Sequence, residues 1–261
     1  MGRSAVNLDE LRNFVQSGAP ELSKFPAELC LYSDRVVQVF YAPVEHHNPG
    51  ARLVLLGLTP GLYQAQQAVE SFAGAMARGA SVSDALAAAK YSAAFGGPIR
   101  ANLCAMLQAL DIPFHLGVQD ADSLFVPPQD RVHLTSALRY PVFRSGRNYS
   151  GTPPPNRHPE LRRMIESVLG PELASVPSAL IVPLGKAAQV ATDHLTSRKE
   201  LDPNRVLRGF PHPSGANGHR RRQFEENFPA MRSQVAKWFS KSEIWKSGHS
   251  LNQHPASRRG P

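Results

Sequence analysis

Three short segments of the chain are rich in apolar residues and run into turns that contain glycine, proline or serine. They cover residues 53–58, 132–137 and 179–184. Short apolar runs bounded by such turns are typical of strands that are buried on both faces of a parallel sheet. The pattern therefore predicts three buried parallel β-strands.

Helical periodicity separates these predicted strands. Apolar residues recur at helical spacing after Pro98 and again after Pro159, and Gly170 is expected to end the second helix. The recurring positions are Ile99, Leu103, Met106 and Leu110 in the first helix, and Leu161, Ile165 and Val168 or Leu169 in the second. Alternation of strand with helix predicts an α/β fold whose helices cover both faces of a parallel sheet.

The remaining segments complete the predicted organisation. A last strand is expected around Val206–Phe210, and a C-terminal helix bent at Pro229 presents one apolar face formed by Phe224, Phe228, Met231, Val235 and Trp238. Residues 1–240 are predicted to form a single domain, and residues 241–261 a mobile basic tail. Within the domain, the alanine-rich segment 62–94 predicts two short helices, the second capped by Ser81 with Asp84.

Charge and composition narrow the classes of function. The formal net charge is +8 and the pI is about 9.8, with arginines clustered at 220–222 and at Arg139, Arg144 and Arg147, which favours a phosphate-rich partner. No apolar stretch approaches the roughly 18 residues of a membrane span, and the N-terminus lacks an apolar signal core. The sequence therefore predicts a cytoplasmic protein that does not insert into membranes.

Metal ions and cofactors are not expected. Cys30 and Cys104 are too few for a disulfide framework or a four-thiolate cluster, and we interpret both as free thiols. The adjacent His46 and His47 are interpreted as surface residues, because no second cluster completes a metal site. Residues 57–61, GLTPG, do not have the spacing of a phosphate-binding or dinucleotide-binding loop.

Three turns follow the predicted strands at their carboxyl ends, over residues 57–61, 136–151 and 211–218. Ligands bind at this edge of open parallel sheets. In order along the chain, the motifs are GLTPG (57–61), FGGPIRANLCAML (95–107), VHLTSALRYP (132–141), VPLGKAA (182–188) and HPSG (212–215). Their order and spacing resemble the uracil-DNA glycosylase superfamily from about Leu53 to Phe239, closest in pattern to the iron–sulfur type and related enzymes. The resemblance implies a three-layer α/β/α sandwich around a short, mainly parallel central sheet.

The resemblance also implies roles for individual residues. His212 would donate a hydrogen bond to O2 of the departing base, and Phe95 would stack on the flipped base. Thr59 stands where several families place an Asn or Asp that positions the attacking water. Ser136 stands where related enzymes use an Asn to read uracil. The floor of the base pocket would be formed by Gly57, Pro60 and Gly61.

The sequence departs from the family pattern in four respects, and three of them (Thr59, Ser136 and the insertion at 62–94) together favour a modified pyrimidine over plain uracil. Thr59 lacks a neighbouring acid, Ser136 is shorter than an amide, and the cluster cysteines are missing. The fourth departure is the insertion at 62–94, which either walls a wider pocket or forms a solvent-facing decoration. The sequence does not choose between these two positions for the insertion.

Contacts to DNA are predicted for two further segments. Ser214 and Gly215 would bind a phosphate, together with Arg220, Arg221 and Arg222 in the first turns of the following helix. Either Asn217 or His219 would fill the gap left by the flipped nucleotide. Arg147 and Asn148 belong to a second loop expected to contact the DNA backbone.

The leading hypothesis is therefore a monomeric, monofunctional DNA glycosylase without a cofactor. It would flip uracil or a modified, even hypermodified phage, pyrimidine out of single- or double-stranded DNA and leave an abasic site, in base excision repair or antiphage defence. No lysine was identified that could form a Schiff base, so lyase activity is not expected. The alternative is a catalytically weak DNA-binding module that recognises altered bases or single strands.

Overall fold

The computed structural model describes residues 7–127 and 130–250. The strands are β1 (Cys30–Ser33), β2 (Gln38–Phe40), β3 (Leu53–Gly57), β4 (Val132–Ser136), β5 (Val142–Arg144), β6 (Arg147–Asn148) and β7 (Leu180–Pro183). The α-helices are α1 (Leu8–Gly18), α2 (Leu62–Ala77), α3 (Val82–Ala93), α4 (Pro98–Ala109), α5 (Ile112–Leu116), α6 (Pro159–Met164), α7 (Gly170–Ala174), α8 (Lys186–Ser197) and α9 (Arg220–Ser250). No described helix combines the length and the apolar character needed to cross a membrane.

A three-stranded parallel sheet lies at the centre in the order β4-β3-β7. Leu53 of β3 is paired with Val132 of β4 and with Leu180 of β7. All three predicted buried strands are thus confirmed, and they are parallel as expected. Their carboxyl ends meet at one edge of the sheet.

The two faces of this sheet are covered separately, as the resemblance implies. Leu53 and Leu55 of β3 belong to one core cluster with residues of α4 and α9. Val54 and Leu56 point the other way and belong to a second cluster with residues of α6 and α8. Alternate side chains of a strand face opposite sides, so a fully buried strand needs a layer of structure on each. The α/β/α arrangement is therefore confirmed.

The prediction of a strand at Val206–Phe210 is wrong, because this segment does not form a regular strand. Only Val206 bridges to Ile181 of β7, and Leu207 N–H donates to the Ile181 carbonyl at 2.8 Å. Gly209 then has a φ of +84°, a left-handed conformation that leaves the extended region and ends the pairing. The chain turns there toward the segment that contains His212.

The sequence pattern did not predict a second sheet, which is antiparallel in the order β1-β2-β5-β6. Its described strands are only two to four residues long, too short for an alternating pattern to stand out. Phe40 and Phe143 from two of its strands pack against Phe25. The sheet matters for the site because it brings β5 and β6 beside the turn after β3.

The segment 62–94 forms two helices, α2 and α3, as predicted. The Ser81 hydroxyl accepts the Asp84 N–H at 3.1 Å at the start of α3 and donates to the Asp84 carboxylate at 2.7 Å. Small alanines on both helices are buried in a third core cluster together with Phe72. Alanine permits this close packing because its side chain stops at Cβ.

Two predicted helix ends differ from the structure. Gly170 does not end the helix that starts at Pro159, since a π-helical turn over Ile165–Leu169 leads directly into α7. A Cβ added at Gly170 would lie 3.4 Å from Leu195, so this glycine fits a close helix contact instead.

At the C-terminus, α9 continues to Ser250, ten residues past the predicted end of the domain at Ser240. Residues 241–246 contain no glycine or proline that would stop a helix already formed by packing upstream. The rest of the predicted tail, residues 251–261, lies outside the described residues. The single domain and the mobility of the tail stay predictions.

Candidate active site

A pocket of about 370 Å³ opens at the carboxyl edge of the parallel sheet. Its walls come from the turns after β3, β4 and β7, from the segment around His212, from residues 148–150 and from the insertion 62–94. This volume falls in the range of roughly 300–1,000 Å³ that is usual for small-molecule sites. The three turns singled out in the sequence therefore converge on one cavity.

His212 lies in this wall with a defined ring orientation. Its Nδ1 accepts the backbone N–H of Ser214 at 3.2 Å, which leaves the proton of a neutral imidazole on Nε2. Partial burial lowers the pKa of His212 below its ordinary 6.5, so the ring is neutral at pH 7. His212 thus offers one N–H donor to the pocket.

Neighbouring segments hold this loop in place. Asn102 of α4 donates its Nδ2 to the Pro213 carbonyl at 2.9 Å. Arg220 donates from Nη1 to the Ser214 carbonyl at 2.9 Å, and Asn217 donates from Nδ2 to the His212 carbonyl at 3.3 Å. Side chains from two helices and from the loop itself therefore fix the position of His212.

Phe95 lies over Gly57 at the junction between α3 and α4. A Cβ added at Gly57 would meet the Phe95 ring at 3.3 Å and the Ser136 hydroxyl at 3.4 Å. The three sequence-predicted pocket residues are thus adjacent. Phe95 has a φ of +51°, an unfavourable conformation for a non-glycine residue that is often found at functional sites.

The hydroxyl of Thr59 is engaged with the backbone on two sides. It donates to the Tyr140 carbonyl at 2.9 Å and accepts the Val142 N–H at 3.1 Å. A hydroxyl has one proton and two lone pairs, so one acceptor position remains. Thr59 lines the pocket, but it can orient a water only by accepting a hydrogen bond from it.

Asn148 lies at the pocket rather than only on an outer loop. Its Oδ1 accepts the Leu62 N–H at 2.8 Å, which caps the start of α2. A Cβ at Gly61 would be 3.2 Å from its Nδ2, so Gly61 leaves room for this amide. The short strand β6, which sequence patterns did not reveal, carries Asn148 to this place.

The insertion forms part of the pocket wall. Gln64 of α2 and Lys90 and Ala93 of α3 line the cavity. Of the two arrangements left open by the sequence, a purely solvent-facing decoration is excluded. Lys90 is buried, and its Nζ donates to the Val44 carbonyl at 2.8 Å.

A buried polar network adjoins the same part of the pocket, and sequence reasoning did not find it. Glu172 of α7 accepts hydrogen bonds from His133 Nε2, Thr135 Oγ1 and Arg139 Nη2, each at 2.7 Å. Hydrogen bonds and cations hold the pKa of Glu172 well below its ordinary value despite burial. Arg139, which the sequence grouped with Arg144 and Arg147 as favouring a phosphate-rich partner, is instead paired with this carboxylate.

His46 and His47 lie at the surface, as interpreted, but each ring also packs against a neighbouring ring. Both are only partly exposed, and the His47 ring contacts His133 with centroids 4.9 Å apart. His47, His133 and Glu172 have potential metal-ligand atoms within 4.8 Å of one another. Because the Glu172 oxygens already accept from three donors that include Arg139, this cluster is better suited to hydrogen bonding than to a cation.

The predicted DNA-contacting residues differ in their exposure to solvent. Arg147, Gly215, His219, Arg221 and Arg222 are exposed. Ser214, Asn217 and Arg220 are half-buried and take part in the hydrogen bonds that shape the loop. Of the two candidates for filling the gap in DNA, His219 is the more accessible.

Comparison with known proteins agrees with this geometry. A family model described as the uracil DNA glycosylase superfamily matches residues 44–239, which contain all the elements that line the pocket. The uncharacterized protein YoxB of Bacillus subtilis (strain 168) is 36% identical over 208 residues, covering 78% of this chain and 81% of that protein. No solved structure matches.

Proposed function

The chain belongs to the uracil DNA glycosylase superfamily, and we propose that it is a monofunctional DNA glycosylase acting on a flipped pyrimidine. It hydrolyses the N-glycosidic bond and leaves an abasic site in the DNA. The observation that carries this proposal is the convergence of His212, Phe95 and Ser136 on one pocket at the carboxyl edge of the parallel sheet.

His212 has the chemistry needed at the leaving group. As the glycosidic bond breaks, negative charge develops on the base and its O2 oxygen becomes a strong acceptor. A neutral imidazole with its proton on Nε2 donates to this oxygen, and such preorganised donors stabilise transition states by about 3 kcal/mol. The pocket also removes water that would compete for the same hydrogen bond.

Phe95 and the glycine beside it provide a surface for the base. The ring lies against Gly57, which lacks a side chain, so a planar base can enter beside the ring. Aromatic stacking accepts any pyrimidine, whereas hydrogen bonds to the base edge discriminate among them. Ser136 and Asn148 are two polar side chains of the pocket that could read the edge.

Water attack proceeds in this proposal without a carboxylate base. None of the described residues that line the pocket is Asp or Glu. A departing base leaves an electron-poor sugar that a weakly activated water can attack, and the free acceptor position of Thr59 would orient that water. We expect chemistry slower than in enzymes with an acid at this place.

The pocket favours a modified pyrimidine, in base excision repair or in antiphage defence. Its volume of about 370 Å³ and the short Ser136 side chain leave room for a substituent on the base. DNA is the proposed partner of a monomer, bound through the exposed Arg147, Arg221 and Arg222. No cofactor is needed for the hydrolysis.

A second candidate is a DNA-binding module with little catalytic power. The engagement of the Thr59 hydroxyl by Tyr140 and Val142 favours it, because this weakens the one side chain assigned to the water. Such a module would bind altered bases in the same pocket without releasing them.

One experiment separates the two candidates. The protein is incubated with single- and double-stranded DNA containing uracil, hydroxymethylated or glucosylated pyrimidines, with and without chelator, and free base and alkali-labile sites are measured. Release by the wild type but not by His212→Ala supports the glycosylase. Tight binding to a modified strand with no base release would support the binding module instead.

A further inference from the structure

The inner end of the pocket differs chemically from its mouth. Val44, Lys90, Thr135 and Arg139 line the cavity together with Ser136. Lys90 and Thr135 are buried and Arg139 is half-buried, whereas His212 is exposed, so these groups lie deeper in the cavity than the ring of His212 does. A pyrimidine held by O2 at His212 would direct its opposite edge, with C4 and C5, toward them.

Lys90 carries a positive charge at this inner end with no carboxylate to pair it. Its Nζ donates to the neutral Val44 carbonyl at 2.8 Å. Among the described residues, the ion pairs here join Arg139 to Glu172 at 2.7 Å and Arg12 to Glu45 at 3.8 Å, and none includes Lys90. A buried charge without a partner is unfavourable, so an anion brought into the cavity would be stabilised there.

Burial is the main cause of a lowered Lys90 pKa of about 8, which leaves the amine protonated at neutral pH. The other charged or titratable groups that face it are Glu45, His46, His133, Arg139 and Glu172. Burial lowers the pKa of both histidines below 6.5, so they remain neutral above pH 7. Lys90, with a pKa of about 8, is therefore expected to lose its charge as the pH rises from 7 to 9.

We infer that Lys90 forms a subsite for an anionic, oxygen-bearing substituent, such as a carboxylate, on the C5 edge of the flipped pyrimidine. This inference rests on the proposed glycosylase function. Lys90 belongs to the insertion, so the same segment that enlarges the pocket also supplies its charge. Thr135 contributes no free proton, because its hydroxyl donates to Glu172.

The test compares duplexes of one sequence that contain uracil, 5-hydroxymethylcytosine or 5-carboxycytosine at the target position. The last two bases are close in size and differ in charge. Single-turnover rates are measured for the wild type, for Lys90→Met, and for Lys237→Met as a control that removes an exposed lysine of α9. Thermal unfolding establishes that each variant is folded.

We expect the wild type to release the carboxylated base about ten- to a hundredfold faster than the hydroxymethylated one, as hydrogen bonds to charged groups allow. Lys90→Met should lose this preference, and Lys237→Met should keep it. In the wild type the preference should also fall as pH rises from 7 to 9. If Lys90→Met does not fold, this pH series in the wild type tests the subsite instead.

The outcomes distinguish the two proposals. Base release with no preference for the carboxylated base, or a preference that survives both Lys90→Met and high pH, overturns the subsite and leaves the glycosylase function standing. Absence of release from every duplex overturns the glycosylase function, and the inference falls with it.

Discussion

Gly185 lies directly against His212, so closely that a Cβ added to the glycine would be 2.7 Å from the Cβ of the histidine. Gly185 also has a φ of +89°, which a residue with a side chain adopts only with strain. We therefore predict that Gly185→Ala displaces the His212 loop and lowers the single-turnover rate of base release about tenfold or more. Gly18→Ala, where no atom lies within 4 Å of the added carbon, is the control.

Removal of the imidazole should have a larger effect than its displacement. His212→Ala is predicted to slow base release about a hundredfold or more, because the charge on O2 loses a preorganised donor. Binding to the same duplex should change little, since the donor acts mainly in the transition state. Nuclear magnetic resonance titration should give His212 a pKa below 6.5. Near-normal rates in the variant would rule out this role.

The salt dependence of DNA binding should show whether the exposed arginines of α9 contact the DNA. Arg221 and Arg222 are exposed, whereas Arg220 donates to the Ser214 carbonyl. Replacing Arg221 and Arg222 with alanine is predicted to flatten the log–log slope of affinity against salt by up to about 2 units, because fewer counterions are released. Arg163→Ala removes a single arginine charge on α6, where it is paired with Glu160, and serves as the comparison. An unchanged slope in the double variant would place the DNA elsewhere.

The base preference should respond to the length of the side chain at position 136. Ser136→Asn introduces an amide that can both donate and accept, and it also fills space beside Gly57 and Phe95. We expect the ratio of kcat/KM for uracil to that for a bulky 5-substituted pyrimidine to rise. A ratio that stays the same or falls would mean that Ser136 does not contact the base.

Stability should depend on the buried carboxylate that anchors the polar network. The pKa of Glu172 is lowered in the folded state from an ordinary 4.5, so its contribution is complete above that value and is lost as pH falls below it. Glu172→Gln leaves Arg139 without its carboxylate and is predicted to cost about 3–5 kcal/mol in the free energy of unfolding near pH 7.

Denaturant titrations at several pH values measure this effect. The difference between wild type and Glu172→Gln should shrink below pH 4.5, where the wild-type chain gains protons on unfolding. Glu21→Gln, in an exposed pair with Lys24, should change stability little at any pH. A difference that does not depend on pH would mean that the charge of Glu172 is not what stabilises the fold.

Local sequence determined the framework of the site. The runs at 53–58, 132–137 and 179–184 are long enough to identify buried strands, and parallel strands bring their carboxyl ends together. The placement of Phe95 and His212 at one pocket came instead from the resemblance of their motifs to the uracil-DNA glycosylase superfamily. The three-residue spacing of Ser81 and Asp84 likewise predicted the start of α3.

Tertiary structure alone decided what the polar groups do. Thr59 meets Tyr140, Glu172 meets His133 and Lys90 meets Val44 across separations of 81, 39 and 46 residues, which no local pattern encodes. Periodicity reports which face of an element is buried, but a buried polar side chain takes its role from the partner that folding brings to it. For this reason the sequence predicted where the pocket lies, and only the packing of α3 against it gave the pocket a charged inner end.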